Sequence, residues 1–162
     1  MSVAPRVESD AQLARLLQVA TVLEEVVEAR AHRHYQSLPE AERDERIEGL
    51  LEEAVEESAA HRERIETLLE ELDADAVAFE HIEALVTEQY SGADTDFDGV
   101  LYDQLNGEET AYKFYADLIE AIEASDVAFS IERERLLETL RDIKAAEASG
   151  VEAVAELMEE RA

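Results

Sequence analysis

Residues 28–35 read EARAHRHY and residues 108–115 read EETAYKFY, so a Glu, an Ala three places on and a Tyr four places further recur in two separate parts of the chain. Neither stretch contains Gly or Pro, and steps of three and four bring all three residues to one face of an α-helix. Upstream of the first copy, Leu13, Leu16, Leu17, Ala20, Leu23, Val27 and Ala31 keep the same helical rhythm. With Ser9 or Asp10 as cap, that pattern predicts a first helix running to about Ser37.

SLPE at 37–40 has the form of a capping box with Pro in the first turn, so a second helix is predicted to begin there. Its stripe is Ile47, Leu51, Ala54, Ser58, His61, Ile65, Leu68 and Leu72, and DADA at 73–76 ends it. A short amphipathic helix over Val77 to Gln89 and the loop SGADTDFDG at 91–99 follow.

The second copy lies in a third helix, Val100 to Glu123, with Leu101, Leu105, Glu108, Ala111, Tyr115, Leu118 and Ile122 on one face. SD at 125–126 is predicted to cap a fourth helix with Phe129, Arg133, Leu136, Leu137, Leu140 and Ile143 inward, ending at Gly150. Val151 to about Glu160 then forms a short C-terminal helix. The expected architecture is all-α and a single domain over 1–162. Hairpin one spans about 9–72, a long crossover spans 73–99, and hairpin two spans about 100–149, with the tail helix at 151–160.

Composition limits function. Forty-two acidic residues against fourteen basic ones leave a net charge of −28, and Lys113 and Lys144 are the two lysines. Such a surface repels nucleic acid and anionic lipid, so no nucleic acid and no membrane is expected among the partners. The acids alternate with Leu, Ile and Val at helical spacing, which separates them from a disordered acidic tail. The balance resembles that of proteins from salt-accumulating archaea, and implies a halophile whose cytosolic salt shortens the screening length to about 3 Å.

The absence of Cys excludes disulfides, thiol catalysis and thiolate metal ligands. No apolar run reaches the roughly 20 residues that span a bilayer, and the N-terminus lacks a secretion signal pattern, so a cytoplasmic location is expected. Val19, Val22 and Val26 fall on the far side of the first helix from its core stripe, which predicts a homodimer face. No nucleophilic triad, phosphate-binding Gly loop or nucleotide fold is recognisable.

The second and fourth helices repeat as well, SAAHRERIETL at 58–68 against SIERERLLETL at 130–140. Together with the Glu-x-x-Ala-x-x-x-Tyr pairs, these residues resemble the rubrerythrin and ferritin-like di-iron family over roughly residues 10–145. The resemblance implies a ferritin-like bundle in which each hairpin provides a Glu from its first helix and a Glu-x-x-His from its second. Mapped onto this chain it implies Glu28, Glu108 and His61 as metal ligands. Ser58 and Ser130 stand where the family has Glu, and Arg133 stands where it has the second His.

Glu57 and Glu132 flank those positions as substitute ligands, and Glu24 lies one turn before Glu28. Arg stays protonated and cannot ligate a metal. One reading is therefore a non-catalytic structural or interaction module in which Arg133 forms a buried ion-pair network with Glu28 and Glu108, and no cofactor is bound. The other is an oxidoreductase or iron-handling protein that keeps iron or manganese in a remodelled carboxylate site.

Overall fold

The computed structural model describes residues 6–38, 44–74 and 97–160. Among these residues there are four α-helices and no strand: α1 Asp10–Ser37, α2 Glu45–Glu71, α3 Phe97–Glu123 and α4 Arg133–Glu160. The protein is an all-α four-helix bundle. The predicted short helix at 77–89 and most of the predicted crossover lie outside the described residues.

Each hairpin packs antiparallel, α1 on α2 and α3 on α4, and the hairpins meet through α1 on α3 and α2 on α4. Cross-helix bonds fix the directions. Tyr115 meets Glu24 and Asp103 meets Arg30 between α1 and α3, while Arg64 meets Asp142 and Arg135 meets Glu71 between α2 and α4. Every adjacent pair is thus antiparallel, and α2 and α3 run the same way on opposite corners. The end of α2 and the start of α3 consequently sit at opposite ends of the bundle.

Ser9 caps α1 as predicted, its hydroxyl accepting the Gln12 N–H at 3.1 Å. The start of α2 differs from prediction: Asp44, in extended backbone, caps it by accepting the Arg46 N–H at 2.8 Å, so the helix begins at Glu45 rather than at SLPE. A short aspartate at this position satisfies an orphan donor of the first turn and complements the helix dipole.

The fourth helix also differs at both ends. Residues 125–132 are not helical, and α4 starts at Arg133. Arg133 donates to the carbonyls of Ile122, Ser125 and Val127, each at 2.8 Å, holding the connecting segment in place of a cap at SD. At the other end the helix passes through Gly150 to Glu160 without a break, so the separate tail helix does not exist. A glycine inside a helix costs about 1 kcal/mol, and burying Val154 and Leu157 beyond it outweighs that, at about 1.5 to 3 kcal/mol per fully buried side chain.

The predicted inward stripes of α2 and α3 are buried, apart from Leu105, which is half-buried. Of the face expected to meet a partner chain, Val19 and Val22 are buried in the same core as Leu13, Leu17 and Leu23, and Val26 is half-buried against it. The core falls into two apolar clusters, one around Leu17, Leu68, Leu118 and Leu140 and one around Ala31, Leu51, Leu101 and Leu157. Between them lies a layer of buried polar side chains.

Candidate metal centre

The polar layer comes from one interruption in each helix's inward seam. In α1 the seam runs Leu13, Leu17, Ala20, Glu24, Val27 and Ala31; in α2 it runs Leu51, Ala54, Ser58, His61, Ile65 and Leu68. In α3 it is Leu101, Gln104, Glu108, Ala111 and Tyr115; in α4 it is Leu140, Ile143, Glu147, Gly150, Val154 and Leu157. Steps of three and four keep each seam on the bundle axis, so the polar members are forced inward by the burial of their apolar neighbours.

Glu24 is wholly buried and Glu108, Glu147 and His61 are 5, 5 and 7% exposed. His61 Nδ1 lies 3.5 Å from Glu24 Oε1 and 3.3 Å from Glu147 Oε1. The proximity is electrostatic in character: the ring nitrogen makes no hydrogen bond to either oxygen, and Glu24 Oε2 also lacks a partner. Buried polar atoms are almost always satisfied, so two unpartnered atoms on neighbouring members of one buried cluster call for a further partner.

The remaining polar contacts orient the carboxylates. Tyr115 donates its hydroxyl to Glu24 Oε1 at 2.8 Å, and Gln104 donates its amide to Glu108 Oε1 at 3.1 Å. The carboxyl of Glu147 contacts those of both Glu108 and Glu24. Gly150, one turn after Glu147 on the same face, makes room for this crowd: a Cβ there would lie 2.6 Å from Glu108 Oε2.

Electrostatics follow from the crowding. Burial, then the charge of Glu24, then the contact with Glu108 push the Glu147 carboxyl far above the ordinary carboxylate range, so it carries a proton when no cation is present. Burial and the neighbouring Glu24 raise the Tyr115 phenol as well, keeping it a hydrogen-bond donor. Half-buried Glu57 is raised by burial and by Glu108.

The donor set fits a metal ion. Glu24, His61 and Glu147 each offer an atom within 4.8 Å of the others. A first-row cation bound at about 2.1 Å holds neighbouring donors about 3.0 to 3.4 Å apart, close to the observed imidazole-to-carboxylate separations. Three carboxylates and one imidazole suit manganese or iron better than softer metals.

Of the residues expected from sequence, His61 and Glu108 are in the layer and Glu28 is not. Glu28 sits one residue past the seam, part-exposed, and accepts a 2.6 Å hydrogen bond from Arg62. Glu57 borders the layer and Glu132 is exposed. Arg133 stands at the end of the bundle with its guanidinium engaged by three carbonyls and stacked 5.5 Å from the Phe129 ring centroid. The ion-pair network of Arg133 with Glu28 and Glu108 is therefore not formed, because the arginine's planar fork already serves the turn before α4. Ser130 is at the same end, exposed, accepting the Asp73 N–H.

Glu24 and Glu147 are the members that carry the site. Glu24 was legible as the polar step between Ala20 and Val27. Glu147 lies inside the predicted fourth helix, four residues beyond Ile143, where the predicted inward stripe stops. Comparison of the chain with models of known families, with curated proteins and with solved structures returns no match.

Proposed function

We propose that the protein binds a single divalent transition-metal ion, manganese or iron, between Glu24, His61 and Glu147, with Glu108 as a fourth carboxylate. The observation that carries this reading is the buried cluster of Glu24, His61 and Glu147, whose donor atoms lie within 4.8 Å of one another while Glu24 Oε2 and His61 Nδ1 have no hydrogen-bond partner. Burying carboxylates this close costs several kcal/mol per ion unless a proton or a cation compensates.

The helices supply their seams unequally. Position 58 is Ser where α4 has Glu147, and position 150 is Gly where α2 has His61, so one set of strong donors is shared between two helices. This favours one metal rather than the two of the di-iron proteins that the chain resembles. The fold and the carboxylate-imidazole donor set suit a ferritin-like oxidoreductase or iron-handling role. Iron or manganese would supply one-electron redox chemistry at positions the protein leaves open. The chain's own part is to orient Glu24 through Tyr115, to orient Glu108 through Gln104, to keep bulk water out and to hold a proton on Glu147 until a cation displaces it.

A second reading rests on that proton. With Glu147 neutral, its hydroxyl can donate to Glu24 or Glu108, and the layer stands as a structural hydrogen-bonded cluster in a non-catalytic module. Metal analysis of the purified chain separates the two. Near-stoichiometric manganese or iron that is lost from Glu24→Gln supports the metal centre, and a metal-free chain that takes up neither ion on dialysis rejects it.

A further inference from the structure

A metal centre sealed inside a bundle needs a way in, and the four seams around this layer are not equally closed. Between α1 and α2, Arg62 reaches across to Glu28 at 2.6 Å. Between α1 and α3, Arg30 and His34 both bind Asp103, at 2.6 and 2.8 Å. Between α2 and α4, Arg64 meets Asp142 at 3.2 Å. Each of these ties the helices together and presents a basic side chain to an arriving cation.

The seam between α3 and α4 has its ion pair, Arg141 with Glu123 at 3.8 Å, at the far end of α3, and differs beside the polar layer. Its outer side is a groove of about 690 Å³ whose walls include Glu109, Tyr112 and Lys113 from α3 and Ser149, Val151 and Glu152 from α4. Ser149 and Val151 bracket Gly150, and Glu109 directly follows Glu108. Glu109, Glu152 and Lys113 all line the groove, Lys113 one turn beyond Glu109 on α3, and Lys144 lies 5.6 Å from the Tyr112 ring centroid. Beneath the groove Gly150 has no side chain, and the carboxylate of Glu108 occupies the place a Cβ would take. Glu108 in turn contacts Glu147, which faces His61 and Glu24.

We infer that the α3–α4 groove is the port through which a divalent cation reaches the core, with Glu108 as the carboxylate that receives it at Gly150 and passes it inward to Glu147. The route runs from exposed acids at the rim to buried Glu108 and Glu147 and ends at wholly buried Glu24. Each step replaces part of the ion's hydration shell with a carboxylate. A side chain at 150 would stand where the Glu108 carboxylate lies and would push that carboxylate aside. This inference rests on the metal-centre reading above.

The test is the rate of cobalt(II) loading, followed by its visible absorption in a stopped-flow mixer, and the rate of its removal by excess chelator. Ser149→Trp fills the groove from an exposed position, and Glu66→Trp does the same to the groove between α1 and α2. A narrowed port raises one barrier for both directions, so Ser149→Trp should slow loading and release alike by about tenfold at unchanged affinity, with Glu66→Trp within about twofold of the parent. Gly150→Ala, which displaces only the end of a flexible side chain, is the second variant and should also slow loading. Loading of Ser149→Trp and Gly150→Ala at the parent rate, or equal slowing by Glu66→Trp, overturns the port. A parent chain that binds no cobalt, manganese or iron overturns the metal centre itself.

Discussion

Tyr115 on α3 donates its hydroxyl to Glu24 Oε1 on α1, 2.8 Å away, and that same oxygen lies 3.5 Å from His61 Nδ1 on α2. The bond joins the two hairpins at the level of the polar layer. Tyr115→Phe removes the donor and keeps the ring, so a buried carboxylate oxygen loses its partner. We expect a loss of about 1 to 3 kcal/mol in urea unfolding of the metal-free chain, and a weakening of manganese affinity by about tenfold through the misoriented ligand. Unchanged affinity would mean that Glu24 is not a ligand.

Glu147→Gln separates the costs of the layer from its use. Without metal the amide relieves the crowding of Glu24, Glu147 and Glu108, so the melting temperature in chelator should hold or rise. With manganese at about 100 times the parent's dissociation constant, the parent should gain about 2.7 kcal/mol and the variant almost none. Calorimetric melts with and without metal measure both.

Two acids give opposite pH dependences. Burial alone would raise Asp103, but hydrogen bonds from His34 and Arg30 outweigh it and hold its carboxyl down to about 2, against 3.8 when free. A depressed folded value stabilises the chain above the free value, and that contribution is lost as pH falls from about 4 to about 2. Discounted for its solvent-facing side, it amounts to about 1 to 2 kcal/mol, which Asp103→Asn should remove at neutral pH.

Glu147 has the reverse sign. Its raised folded value favours the protonated chain, so metal-free stability declines as pH climbs above the free value of 4.5. Metal uptake must expel that proton. Titration calorimetry in two buffers of different ionisation enthalpy should therefore show proton release, and manganese affinity should strengthen with rising pH.

Arg133→Ala uncovers three carbonyls before α4 and should cost about 1 to 3 kcal/mol, softened by water reaching this half-buried end. It should leave metal stoichiometry unchanged, since the guanidinium has no place in the core layer. Unfolding and metal analysis on the same sample check both.

The helices were legible because their apolar steps of three and four are uninterrupted over long spans, and Ser9 could be read as a cap from its type alone. The ends of α4 were not. Arg133 acts as a staple to carbonyls in a preceding turn, a contact that depends on where the chain folds back, and Gly150 continues a helix because Val154 and Leu157 find a core that only the tertiary fold provides. The same distinction governed the site. His61 and Glu108 stand inside visible apolar stripes, whereas Glu28 matched a repeated string yet lies one residue, about 100° of helical turn, away from the axis.

The unequal seams of α2 and α4 bear on how this bundle can be assembled. Two copies of the first hairpin would bring together paired imidazoles and no carboxylate in the place of Glu147. Two copies of the second would bring together carboxylates and no imidazole. The mixed donor layer exists only when the two different hairpins are joined, so the covalent link between α2 and α3 fixes its stoichiometry, and a symmetric assembly of either half would contain a different chemistry.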